Sequence, residues 1–242
     1  MELTAVLAGS TALVTGAGGD IGQAICGALA ERGVSVGLVG RRPAKLERAL
    51  RDLSGIGHHA LVADLTVDSE VRGVVRSFLR RYARLDILVH SNGTHGAGSL
   101  ERARVRDFDR MWVSNVRSPF LLTQLLVPAL RESSGQLVFV NSSVVLGERP
   151  GVGQFTATQH ALRSLAETFR AELNADGVRV LNVYPGRTAT ERQRRIYADE
   201  GRTYRPERLL QPLDIAQIVV EALALPRTAE VTDVQIRSAK KP

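Results

Sequence analysis

Lysine is nearly missing from this 242-residue chain: Lys45, Lys240 and Lys241 are the only three, although Lys and Arg together number 32. Chemistry that needs an ammonium group anywhere between Lys45 and Lys240 is excluded. Cysteine is reduced to Cys26, so no internal disulfide can form, and its apolar helical neighbours point to a packed thiol. Aromatic residues make up 5%, too few for the stacking platform that single-stranded nucleic acid needs. The formal charge of +7 suits an anionic partner in principle. The arginines read as scattered, however: Arg72, Arg76 and Arg80 share a helix face, and Arg102, Arg104, Arg106 and Arg110 lie elsewhere. A nucleic-acid partner is not expected. No apolar run approaches the ~20 residues of a membrane span, and the opening MELTAVLAGSTALV lacks the basic start and long apolar stretch of a signal peptide. A soluble, cytoplasmic protein with no membrane partner is expected. No Cys/His cluster has metal-ligand spacing, so no metal is expected, and Gly-x-Ser-x-Gly, the hydrolase elbow, is absent.

What the chain does have is a repeated alternation of short β-type runs and longer helical patterns. Strands are expected at Ser10–Thr15, Val34–Val39, His59–Ala63, Leu85–His90, Gln136–Asn141, Val178–Tyr184 and Val231–Ile236. Helices are expected at Ile21–Arg32, closed by Gly33, then Pro43–Leu53, Val67–Tyr82, a long Val105–Glu132 interrupted near Pro119 or Pro128, Gly153–Ala175 and Asp214–Leu225. Such alternation implies an α/β fold: a Rossmann-like, doubly wound parallel sheet in three α/β/α layers. No linker or repeat divides the chain, so residues 1–242 read as one domain with an Arg-rich lid at about 190–208. Ligands of these sheets bind beyond the carboxyl ends of the strands.

The first strand runs directly into Thr15-Gly16-Ala17-Gly18-Gly19-Asp20-Ile21-Gly22 and a helix. Glycines let backbone approach a pyrophosphate, and a helix N-terminus offers unpaired N–H groups to the anion. The second strand is followed by Gly40-Arg41-Arg42, where an acidic residue would favour NAD(H) and arginine a 2′-phosphate. NADP(H) is therefore favoured over NAD(H).

The Gly-rich stretch resembles the T-G-x-x-x-G-x-G motif of the short-chain dehydrogenase/reductase family, with Asp20 at the middle glycine. Its carboxylate could cap the following helix, and it would also sit near a phosphate. Ala63-Asp64-Leu65 is similar to the family's adenine-contacting Asp-Val/Leu pair, although Asp64 could equally cap the next helix. His90-Ser91-Asn92-Gly93 stands where the family reads Asn-Asn-Ala-Gly, with His90 more readily structural than a site residue. Tyr184-Pro185-Gly186-Arg187-Thr188-Ala189-Thr190 looks like the family's Pro-Gly-x-x-x-Thr segment beside the nicotinamide. The resemblance covers almost the whole chain in its short form. It implies cofactor contacts from Gly16, Gly18, Gly19, Asp20, Ile21, Gly22, Arg41, Arg42, Asp64, Leu65, Asn92, Gly93, Pro185, Gly186 and Thr188. It also implies a homodimer or homotetramer built on the two long helices.

The same resemblance implies a catalytic Asn, Ser and Tyr-x-x-x-Lys. Asn115 matches the Asn and Ser143 the Ser. The Tyr and Lys positions hold Phe155 and Gln159, within FTATQHALRSLAETFRAEL, which otherwise reads like the family helix. A phenyl ring transfers no proton, and an uncharged amide cannot favour a phenolate. Tyr184, beside the expected nicotinamide pocket, Tyr197, Tyr204, His160 and His95 are possible substitutes, each better read as packing or surface. Three functions remain open: an atypical NADP(H) oxidoreductase with weak or absent ordinary carbonyl reduction, an inactive cofactor-responsive binding or assembly subunit, and a non-redox enzyme on the same pocket. The substrate is left open.

Overall fold

The computed structural model describes residues 7–147 and 149–240. Lys241 and the first six residues of the opening stretch MELTAVLAGSTALV lie outside them. Seven strands form one all-parallel sheet: β1 Thr11–Thr15, β2 Ser35–Gly40, β3 His59–Val62, β4 Ile87–His90, β5 Gln136–Val140, β6 Arg179–Pro185 and β7 Asp233–Ile236, in the order β3-β2-β1-β4-β5-β6-β7. The helices are α1 Asp20–Glu31, α2 Pro43–Arg51, α3 Asp68–Tyr82, α4 Val105–Trp112, α5 Ser118–Ser133, α6 Gly153–Leu173, α7 Glu191–Asp199 and α8 Pro212–Ala224. The ends of the expected strands and helices fall within about two residues of the sequence reading, whereas α7, in the Arg-rich segment, was not expected as a helix.

Side chains alternate between two apolar cores because successive strand residues face opposite ways. Ala12, Val14, Val36 and Leu38 join α1 and α8 on one face, while Leu13, Val39, Leu88 and Phe139 join α3, α5 and α6 on the other. Burial on both faces explains why the strands read as nearly continuous apolar runs. Cys26 is fully buried in the first core, which pushes its thiol pKa well above the usual range. No helix among the described residues is long and apolar enough to cross a membrane.

The chain leaves β1 toward β2 on one side and reaches β4 on the other. The loops after β1 and β4 therefore diverge, and a crevice opens between them at the carboxyl edge. The long helix is interrupted directly before Pro119, which sits in the first turn of α5, whereas Pro128 lies inside α5 without a break. The interruption is a π-helical turn at Val113–Arg117, where the Ser118 N–H donates to the Val113 carbonyl five residues back.

Candidate functional site

The Gly-rich turn is shaped by steric need. Gly16 has φ +68°, and a Cβ there would lie 2.5 Å from the Ser91 carbonyl oxygen. A Cβ on Gly22 would lie 2.3 Å from the Gly16 carbonyl oxygen, so α1 can rest on the turn only with glycine at that position. Helix α1 then starts with Asp20, Ile21 and Gly22, whose N–H groups belong to the first turn and have no intrahelical partner.

Gly16, Gly18, Gly19, Arg41, Arg42, Asp64, Leu65, Asn92 and Gly93 all line one cleft of about 1090 Å³. Arg41 lies 3.8 Å from Asp64. Partial burial raises the Asp64 pKa, but hydrogen bonds from the Thr66 N–H and hydroxyl and the Arg41 charge outweigh it and hold the carboxyl below its usual value. Asp64 closes this small turn and does not cap α3, whose N-cap is Val67.

The π-helical turn gathers the loops. The Asn115 amide donates to the Thr94 carbonyl (2.9 Å) and the Thr158 hydroxyl (3.0 Å), and its oxygen accepts the Thr94 N–H (2.7 Å). Asn92 accepts the Thr15 hydroxyl and donates to the Ser114 carbonyl. The Ser118 hydroxyl is placed between the Leu65 and Val113 carbonyls. Loops after β1, β3 and β4 are thus tied to one widened helical turn. Both donors of Asn115 are spent on this work, which makes it a positioning residue.

The segment at about 190–208, expected to be a lid, contains α7 and meets the Gly-rich turn through Asp20. Here the structure corrects the reading of Asp20. Its own helix is capped by Gly19 in extended backbone without a side-chain hydrogen bond. The Asp20 carboxylate instead accepts the Glu191 N–H at 2.9 Å, the first free N–H of α7, while Thr190 accepts the Gln193 N–H. One residue inside α1, Asp20 points away from its own helix start and caps the lid helix. Arg192 then reaches across the cleft and donates to the Gly93 carbonyl at 2.6 Å. It keeps a solvent-facing flank, yet protein surrounds its guanidinium, so burial lowers its pKa and nearby Asp20 opposes the shift.

The remaining candidates stand outside the cleft wall. Phe155 is buried and packs with Met111, Val144, Val145 and Tyr184. Gln159 is buried, with its carbonyl accepting from Asn141. Ser143 opens a short 3-10 turn that Ser142 caps. Gly186 donates its N–H to the Ile236 carbonyl, and Thr188, which follows Pro185 and Gly186, bonds back to Gly186 and bridges Leu210. Among the substitutes, the Tyr184 hydroxyl donates to Asp233 at 2.7 Å, and burial followed by that carboxylate raises its pKa. Tyr197 is held between the guanidinium groups of Arg187 and Arg202, and His160 is exposed. His90 is buried, paired with the Thr123 hydroxyl at 2.8 Å and stacked on Phe139, and burial drives its pKa down to about 3. Its structural reading holds.

Two features escaped the sequence, and a third, His95, was read there as packing or surface. Arg102, Arg104, Arg106 and Arg110, read as scattered, share the cleft wall. Arg192 spans the same cleft. His95 lines it too, with its ring 4.8 Å from that of Phe155. Nothing local marks these residues, because the loop after β4 and the lid meet only in the fold.

Comparison with known proteins agrees with this geometry. The short chain dehydrogenase model matches residues 10–201. An uncharacterized oxidoreductase of Staphylococcus aureus (strain USA300) is 30% identical over 233 residues, covering 96% of this chain and 98% of its own. The alcohol dehydrogenase of the archaeon Thermococcus sibiricus, complexed with 5-hydroxy-NADP, superposes with a TM-score of 0.86 at 26% identity over 96% of this chain and 98% of its own. The 3-ketoacyl-(acyl-carrier-protein) reductase of Brucella melitensis, complexed with NADH, gives 0.85 at 25% identity, covering 97% and 99% of the two chains. Sequence motifs, sheet order and the match across most of its length lead to one assignment: this chain belongs to the short chain dehydrogenase family of oxidoreductases.

Proposed function

We propose that the chain binds NADP(H) in the cleft between the β1 and β4 loops and acts as an oxidoreductase that does not use the family's Tyr–Lys pair. The observation that carries the cofactor preference is the end of β2. Arg41 and Arg42 face the cleft there, and Gly40 offers no carboxylate of the kind that favours a free ribose; a Cβ at Gly40 would lie 3.1 Å from the Leu46 side chain, which would have to give way. The residues present fit the cofactor's anionic groups. The α1 N-terminus faces the cleft, and the Asp20 charge that would repel a phosphate is engaged by the α7 N-terminus and lies near Arg192. The proteins whose structures hold 5-hydroxy-NADP and NADH share this fold, which supports a nicotinamide dinucleotide without deciding between the two forms.

When bound, the nicotinamide gives or takes a hydride. The chain positions the loops through Asn115 and Asn92 and closes the lid through Asp20 and Arg192. Gly16, Gly18, Gly19, Ile21, Gly22, Asp64, Leu65, Asn92 and Gly93 are assigned to the dinucleotide, with Pro185, Gly186 and Thr188 at its nicotinamide end and Ser143 beside the reacting oxygen. Phe155 and Gln159 leave ordinary carbonyl reduction by the Tyr–Lys route weak or absent. The exposed apolar side chains of Val105, Trp112 and Phe120 on α4 and α5 support a homodimer or homotetramer across those helices.

The test is a titration of NADPH and NADH followed by the fluorescence of Trp112, the only tryptophan, and then turnover on a panel of alcohols and carbonyls. NADPH is expected to bind more tightly, and Arg41→Ala with Arg42→Ala to cost about 1.5–3 kcal/mol per lost charge-assisted phosphate contact while sparing NADH. Equal affinities in the unaltered protein would reverse the preference. Binding without turnover of any substrate would favour a cofactor-responsive binding subunit.

A further inference from the structure

His95 occupies the loop after β4, two residues beyond Gly93. Its backbone is fixed from both sides. Asn115 binds both backbone groups of Thr94, and a Cβ on Gly96 would lie 3.0 Å from Met111 of α4. The imidazole leans on the Phe155 ring at 4.8 Å with the planes 59° apart. His95 lines the cleft and Phe155 does not. Where the family resemblance places a phenol, the cleft therefore meets an imidazole.

The other ionisable groups of the cleft are poorly suited to moving a proton near neutral pH. Asp64 is tied to Thr66 and Arg41, and Asp107 to Arg104 and Arg110. Asp109 is exposed on α4. The arginines remain charged. No tyrosine lines the cleft among the described residues, and neither ring nitrogen of His95 hydrogen-bonds another described residue. Those nitrogens are free to accept or donate.

We propose that His95 is the proton-carrying group of this cleft. One ring nitrogen takes the hydroxyl proton of a secondary alcohol as the hydrogen on the same carbon leaves with its electron pair for the oxidised nicotinamide. The products are a ketone, reduced dinucleotide and imidazolium, which passes its proton to water. The reverse reaction delivers that proton to the carbonyl oxygen. The inference rests on the dinucleotide reading above.

The surroundings set the direction. Burial first, then Arg192, lowers the His95 pKa below its ordinary 6.5; Arg187 adds to this, and Glu200 and Asp199 of the lid oppose it. The neutral base therefore predominates at pH 7. Alcohol oxidation should persist below pH 6.5 and fall as pH drops through the depressed pKa, whereas carbonyl reduction should gain over the same window.

Three measurements test this. His95→Gln and His95→Asn are first titrated with NADPH through Trp112 fluorescence, where affinity within about twofold of the unaltered protein shows an intact fold and site. Their alcohol oxidation rate at pH 7 should then fall by ~10²–10⁴, and the acid limb of the pH profile should disappear. The Cε1–H resonance of His95 should titrate below pH 6.5 and shift when oxidised dinucleotide is added. Variants that turn over like the parent, an acid limb that survives them, or a dinucleotide-bound parent that oxidises no alcohol would overturn the proposal. Failure of the parent to bind either dinucleotide defeats the cofactor reading itself and this inference with it.

Discussion

The two sides of the sheet rest on similar apolar cores but make different demands on the sequence. On the β1–β3 side the candidate site is mostly backbone. Gly16 must take a left-handed conformation against Ser91, Gly22 must let α1 touch the turn, and helix N–H groups face the cleft. On the β5–β6 side the family site would be side-chain chemistry on α6. There the helix is buried, and the proposed positions of those groups hold Phe155 and Gln159. A buried phenyl ring contributes about 1.5–3 kcal/mol through its apolar surface whether or not it carries a hydroxyl. Packing can thus retain a helix after its reactive groups are gone, whereas a backbone cradle cannot change without changing the fold.

The sharpest way to break this comparison is to restore the missing chemistry where packing already allows it. In a His95→Gln background, Phe155→Tyr with Gln159→Lys should raise alcohol oxidation by ~10²–10⁴, measured as dinucleotide absorbance in steady-state assays. No gain would mean that α6 no longer presents those positions to the reaction. The backbone side should respond in the opposite manner. Gly16→Val places a branched side chain at φ +68° against the Ser91 carbonyl, and strain with overpacking should cost about 3 kcal/mol. Urea unfolding reads the loss, and dinucleotide titration should show binding abolished. Unchanged stability would contradict the steric account of the turn.

The smallest effect lies between the two sides, at the end of β4. His90 has a folded pKa of about 3 against an ordinary 6.5 because it is buried. Between those values the unfolded chain takes a proton that the folded chain refuses. The stabilising contribution is complete above pH 6.5 and is lost as pH falls toward 3, by up to ~1.4 kcal/mol per pH unit for one such group. His90→Asn should flatten that slope in urea melts at pH 7 and 5. An unchanged slope would assign the acid sensitivity to other groups.

Much of this was legible in the chain itself. The strand at Thr11–Thr15, the Gly16–Gly22 turn and α1 follow from an apolar run, glycine spacing and helical periodicity, all of which act over a few residues. Arg41 and Arg42 were legible because they directly follow a strand. The interruption of the long helix near Pro119 was legible, since proline is a local signal, but its form was not: the π turn at Val113–Arg117 accompanies contacts from Asn115 to Thr94 and Thr158. Asp20 was misread for a related reason. Its position beside a helix start suggested a cap, but its partner is Glu191, far along the chain.

By itself, the order of residues determined the parallel sheet, the glycine-rich turn and the presence of Phe155 and Gln159 on α6, because hydrophobic period, glycine spacing and residue identity are properties of short segments. Only the tertiary structure decided that Asp20 would cap the lid, that Arg192 would cross the cleft and that His95 would cover Phe155. Each of these joins segments distant in the chain, and the approach of such segments is set by the packing of whole helices on the sheet.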